Sequence, residues 1–194
     1  MGYARALLGC AAMIAMLLVS AAPAFAVEKL FEPEGGNVTG TGGEAKLFSS
    51  QIICAKNKFS GKIKKTLGIS KMEGPAEYEG CLFGKRKVTN FTSPELGLNA
   101  NETVSFRETK IEVEGGCVVT IVAGGLNLLL KGVTFKNEAV KKVIATIKVP
   151  GNEESGILYE TNKNKECGTL AEKEKTKTAY SGTETVTGAE LVEK

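Results

Sequence analysis

Four cysteines, Cys54, Cys81, Cys117 and Cys167, are the side chains of this sequence best equipped for chemistry, together with Cys10 near the amino terminus. Cysteine can act as a nucleophile, a metal ligand or a covalent staple. A nucleophilic thiol or hydroxyl needs a base, and the chain contains no His and no Asp. Cys-His and Ser-His-Asp arrangements are therefore excluded by residue type. Structural zinc sites bring their ligands in close pairs such as C-x-x-C. The nearest pair here, Cys54 and Cys81, has 26 residues between its members. No metal and no cofactor is expected, and the staple is the role left.

The elements that would hold such staples depend on where the chain folds. MGYARALLGCAAMIAMLLVSAAPAFA carries one basic residue, Arg5, then an apolar run from Ala6 to Val19 and the small-residue site Ala24-Phe25-Ala26. That is the pattern of a secretory signal peptide, with cleavage expected after Ala26 so that the mature chain starts at Val27. The apolar run is shorter than the ~20 residues a spanning helix needs, so no stable membrane span is expected after cleavage. Leu7-Leu8-Gly9-Cys10 resembles a lipoprotein box but stands at the wrong end of the apolar run.

An even number of cysteines in an exported chain indicates a disulfide framework, with three connectivities open. The sequential one, Cys54–Cys81 with Cys117–Cys167, is preferred. Its loops of roughly 28 and 51 residues would contribute roughly 3.6 and 4.1 kcal/mol in the chain-entropy model.

Composition removes further function classes. Loss of Arg5 lowers the formal charge from +3 to about +2, and Lys and Glu are interleaved, as in KIEVEGG and EKEKTK. No single-sign field for nucleic acid follows. EF-hand loops start on Asp and are absent. EGCLFGKRK misses the phosphate-loop spacing, and Arg86 stands where that motif needs Ser or Thr. The clusters Lys62/Lys64/Lys65 and Lys85/Arg86/Lys87 read as solvated sheet faces.

Along the chain, 27–45 (VEKLFEPEGGNVTGTGGEA) reads as a loose leader with at most one short edge strand. Residues 46–194 read as a β-rich domain. KLFSSQIIC (46–54), FSGKIKKTLGI (59–69), YEGCLFGKRKVTNF (78–91), CVVTIVA (117–123), VKKVIATIKV (140–149), GILYET (156–161) and AYSGTETVTG (179–188) are strands or strand pairs. In TVSFRETKIEVEGG (103–116) the apolar phase shifts, which predicts a bulge near Glu108 to Lys110. GGLNLLLKGVTF (124–135) is ambiguous between a helical turn and strand, and 160–178 reads as a solvated loop tied down at Cys167. Ser93-Pro94 to Asn101 is a candidate break between sub-domains. The fold class is an antiparallel β-sandwich or barrel-like domain.

Several of these stretches, YEGCLFG, GCVVTIV, LLLKGVTFKN, VIATIKV followed by GILYE, KECG and YSGTETVTG, together resemble a large set of uncharacterised secreted β-proteins of actinobacteria. The likeness covers approximately residues 46–190 and implies export and an all-β fold, with no assigned activity. Members typically carry a further cysteine pair between the positions matching Cys81 and Cys117, which this chain lacks. Loss of two partners together implies that Cys117 pairs with Cys167.

Two functions stay open. The first is a non-enzymatic secreted or envelope-associated protein whose sheet surface meets a protein or a cell-wall polymer. The second is a carbohydrate or small-ligand binding module. With no Trp, that module would need Tyr78, Phe83 and Tyr159 clustered on one exposed face.

Overall fold

A computed structural model describes residues 28–122, 130–151, 156–170 and 176–194. Ala24, Ala26 and Val27, and with them the expected cleavage site, lie outside the described residues.

Strand periodicity sets two faces on each segment. β14 (Lys142–Val149) shows it most plainly: Val143, Ala145, Ile147 and Val149 are buried while Lys148 is exposed. Long strands of this kind, some interrupted, form eight antiparallel staves. The first is β2 (Asn37–Gly42) with β3 (Ala45–Leu47), and the second is β4 (Ile52–Cys54) with β5 (Lys56–Thr66). The third joins β6 (Ile69–Glu79) and β7 (Leu82–Phe83), and the fourth is β8 (Arg86–Asn99) alone. β9 (Thr103–Phe106) and β10 (Thr109–Val113) make the fifth. β11 (Cys117–Ile121), β12 (Leu130–Lys131) and β13 (Val133–Ala139) make the sixth. β14 and β15 (Ile157–Thr161) make the seventh, and β16 (Thr176–Thr178) continues into β17 (Tyr180–Thr187) as the eighth.

Each stave pairs with the next in sequence. The second and third keep one register from Ile52↔Phe83 to Thr66↔Ile69, so β4 and β5 behave as one strand interrupted at Ala55. The eighth then returns to the first through Glu184↔Gly42, Thr187↔Thr39 and Tyr180↔Leu47. The staves therefore close into an up-and-down barrel, the arrangement that removes free sheet edges. Eight strands enclose an interior that side chains can fill, and Leu47, Ile52, Ile63, Met72, Leu96 and Ile147 are almost fully buried.

Each mouth is covered. β1 (Lys29–Glu32) pairs with β18 (Glu190–Glu193) as a separate two-stranded ribbon. β1 touches the third stave and β18 the sixth and seventh, so the ribbon spans one mouth. Phe31 is buried beneath it, edge-on to Phe135 at 5.0 Å, and its N–H donates to Ser70 Oγ at 2.9 Å. At the other mouth lies a kinked 3-10 segment, Lys165–Leu170, with Cys167 and Leu170 buried. Cys167 is bonded to Cys117, 50 positions earlier. The second disulfide joins Cys54 to Cys81 between the second and third staves.

Several expectations change. The stretch 27–45 is not a loose leader, because β2 lies between β5 and β17 and its Val38 is 2 % exposed. Its glycines obscured a strand that pairs on both edges. The stretch 46–54 is two strands, since Phe48, Ser49 and Ser50 take left-handed backbone angles and turn the chain. There is no sub-domain break at 93–101: β8 runs through Pro94. The ladder shifts between Gly74 and Ala76, which places Pro75 opposite this part of β8, so two residues without an N–H meet at one irregularity. The phase change near Glu108 to Lys110 is a two-residue interruption at Arg107-Glu108, and the ladder itself shifts at Glu112/Val113. In 124–135, residues 130–131 and 133–135 are strand with Gly132 between them, and 124–129 lie outside the described residues. Within 160–178 the chain builds the 3-10 segment and β16, so the stretch is more than a solvated loop.

Candidate functional site

The barrel offers two places where side-chain chemistry is concentrated, one on its outer wall and one in its interior. On the outer wall Ile53 and Leu82 are direct cross-strand partners. Their strand parity points them outward, while the flanking Ile52, Cys54, Cys81 and Phe83 are buried. Ile53 is 36 % and Leu82 49 % exposed. They sit in a groove of about 630 Å³ that also involves Gln51, Gly80, Lys85 and Arg86. Arg86 lies over the Phe83 ring at 5.2 Å and pairs with Glu166 at 2.9 Å. Cation–π contacts of this kind hold a guanidinium plane against an apolar wall. The groove is thus an apolar strip whose lining carries charges of both signs, Lys85 and Arg86 with Glu44.

In the interior, one row of paired residues runs Tyr78, Asn57, Gly42, Glu184, Ala145 across five neighbouring staves. Asn57 Nδ2 donates to Glu184 Oε1 at 3.2 Å, and the hydroxyls of Tyr78 and Tyr180 are 3.2 Å apart. Gly42 leaves the space these groups use: a Cβ there would stand 1.9 Å from Asn57 Oδ1 and 2.5 Å from the Thr183 carbonyl oxygen. Burial pushes the Glu184 carboxyl up to about 7. Burial also raises the hydroxyls of Tyr78 and Tyr180; the charges of Tyr180 and Glu184 add to it for Tyr78, while for Tyr180 the charge of Glu184 adds and the hydrogen bonds with Tyr78 and Asn57 oppose it.

Tyr78, Phe83 and Tyr159 do not form an exposed aromatic face. They are 7 %, 8 % and 2 % exposed. Their parity faces them inward, where Tyr78 stacks on Phe91 at 4.0 Å and Tyr159 meets Phe48 edge-on at 4.7 Å. Phe83 alone borders the outer groove. Among the described residues, no three His, Cys, Asp or Glu side chains gather as a metal centre. Of the basic clusters, Lys64 pairs with Glu73 at 2.9 Å and Lys65 with Glu28 at 2.8 Å.

Glu184 and Asn57 escaped sequence reasoning. The signal was present in parity: Tyr180, Gly182, Glu184 and Val186 alternate with Ser181, Thr183, Thr185 and Thr187, and the first set is the inward one. A glutamate in an apolar phase is easily read as outward-facing, since buried carboxylates are rare.

No protein-family model, no curated protein and no solved structure matches the chain, so the geometry above stands without a relative beside it.

Proposed function

We propose that the chain is an exported, non-enzymatic interaction module that meets a partner protein on the Ile53–Leu82 groove. The observation that carries this reading is the pair of large apolar side chains facing solvent side by side on a barrel wall otherwise rich in Lys, Glu and Thr. Apolar patches rimmed by polar groups are what protein partners cover. Two disulfides belong to the chemistry of an oxidising compartment. The signal-peptide pattern, from which cleavage before Val27 is expected, and the likeness to exported actinobacterial β-proteins support secretion or the outer face of the envelope. A wall polymer is the weaker partner, because sugar rings favour exposed aromatic platforms and Tyr78, Phe83 and Tyr159 are buried.

The test is site-specific photo-crosslinking from position 82 in intact expressing cells, followed by recovery of the chain and sequencing of its amino terminus. A discrete protein adduct formed from position 82, lost when Ile53→Glu is added and the disulfides stay intact, is the expected result. No adduct, or one that ignores Ile53→Glu, removes the groove from consideration. A terminus at Met1 in cell-associated protein removes the export part.

A further inference from the structure

The closure of the barrel passes through a carboxylic acid. Glu184 lies on the eighth stave directly opposite Gly42 of the first and bonds to Asn57 of the second. Its side chain is fully buried. Glu184 Oε2 and Asn57 Oδ1 are both buried acceptors without a hydrogen-bond donor. The groups facing it are Asn57, Gly40 and Phe59 from the neighbouring staves, and the titratable hydroxyls of Tyr78 and Tyr180. No cation is among them, and burial is the one cause that moves its titration. A buried carboxylate in such company carries an uncompensated charge.

The neutral acid resolves the geometry. Its proton can be donated to the Asn57 amide oxygen once the amide is turned over, since oxygen and nitrogen of an amide are interchangeable in shape. The Asn57 NH2 then occupies the position beside the Thr183 carbonyl oxygen, which shares with it the space next to Gly42. The orphaned acceptors are thereby reduced and the first, second and eighth staves are joined.

We propose that Glu184 is a protonation latch on the barrel's closing seam: as the neutral acid it holds the eighth stave to the first and second, and its ionisation loosens that seam. The sign follows from proton linkage. The unfolded glutamate releases its proton near the ordinary value of 4.5 and the folded one only near 7, so between those values the folded state binds the extra proton. Stability from this group is present in acid and is lost as pH rises through that window. The chain has no histidine, so no unperturbed side-chain type titrates between about pH 6 and 7.

The experiment is denaturant unfolding of the disulfide-intact protein and of Glu184→Gln from pH 5 to pH 9, with amide hydrogen exchange read at Thr39, Thr41, Thr185 and Thr187. The wild type is expected to lose on the order of a hundredfold in its folding constant across that range. The Gln variant, which keeps a donor at the same place, is expected to stay level. Exchange corrected for its intrinsic pH dependence should accelerate first at the four seam amides. A Gln variant with the wild-type slope overturns the proposal, as does exchange that rises evenly around the barrel. Should the variant not fold, the assigned Glu184 carboxyl resonance of the wild type decides: a midpoint near 7 supports the latch, and one near 4.5 overturns it.

Discussion

At one mouth the β1–β18 ribbon lies across the staves, held by the buried Phe31 ring and by ion pairs such as Lys29–Glu102 at 2.6 Å and Lys65–Glu28 at 2.8 Å. At the other, the 3-10 segment is held by a covalent bond from Cys167 to Cys117 and by polar ties. Asn162 and Asn164 each donate to the Gly116 carbonyl, at 2.8 and 3.1 Å, while Phe48 seals the opening against Tyr159. The first cover is a strand ladder and can form its own backbone hydrogen bonds. The second has few such bonds, and a disulfide supplies what a ladder would. Small irregular segments with little core of their own are where cross-links contribute most.

The largest expected effect tests the ladder side. Phe31→Ala should lose about 3–5 kcal/mol in urea unfolding, because it empties the apolar contact between ribbon and barrel. If the loss is under about 1 kcal/mol, the ribbon is not the closure described here. Replacing both Cys117 and Cys167 with Ala should cost about 2–4 kcal/mol, and exchange should accelerate around 162–170 while the ribbon amides stay protected. Equal acceleration at both mouths would show that the two covers are coupled, which the comparison denies. Gly42→Ala, far from either mouth, should cost about 1–3 kcal/mol through overpacking against Asn57 and Thr183. Its wild-type stability would mean that the interior row has slack. The smallest change is Lys29→Ala, worth at most about 1 kcal/mol and vanishing in high salt, since that pair is exposed. A larger, salt-independent loss would place more of the ribbon's hold in its charges.

How much of this is legible in the sequence differs from strand to strand. β14 declares itself by alternation, since its inward residues are apolar or small over a full strand length, whereas Glu184 interrupts the inward set of β17. β2 does not, because NVTGTG offers one large apolar residue, Val38, in six positions, and two glycines at inward positions erase the period. Those glycines serve Phe59, Asn57 and Glu184 across the seam, a reason that exists only in three dimensions. The groove was likewise hidden, because Ile53 and Leu82 lie 29 positions apart and each neighbours a cysteine that looks like the apolar anchor. Pairing, which no single strand reveals, sets them side by side on the outside.

The ladder of the ribbon ends in a reciprocal pair of bonds, Glu28 N–H to the Lys194 carbonyl and Lys194 N–H to that of Glu28, each 2.9 Å. The two termini of the described chain thus leave the molecule together. A tether, label or neighbouring module joined to either one emerges at the ribbon mouth, while the Ile53–Leu82 groove lies beside β4 and β7 toward the opposite mouth. Immobilising the molecule by its ends would therefore present that surface outward. A short linker between residues 194 and 28 would also permit circularly permuted variants, in which new ends are cut at an exposed turn such as Leu67-Gly68.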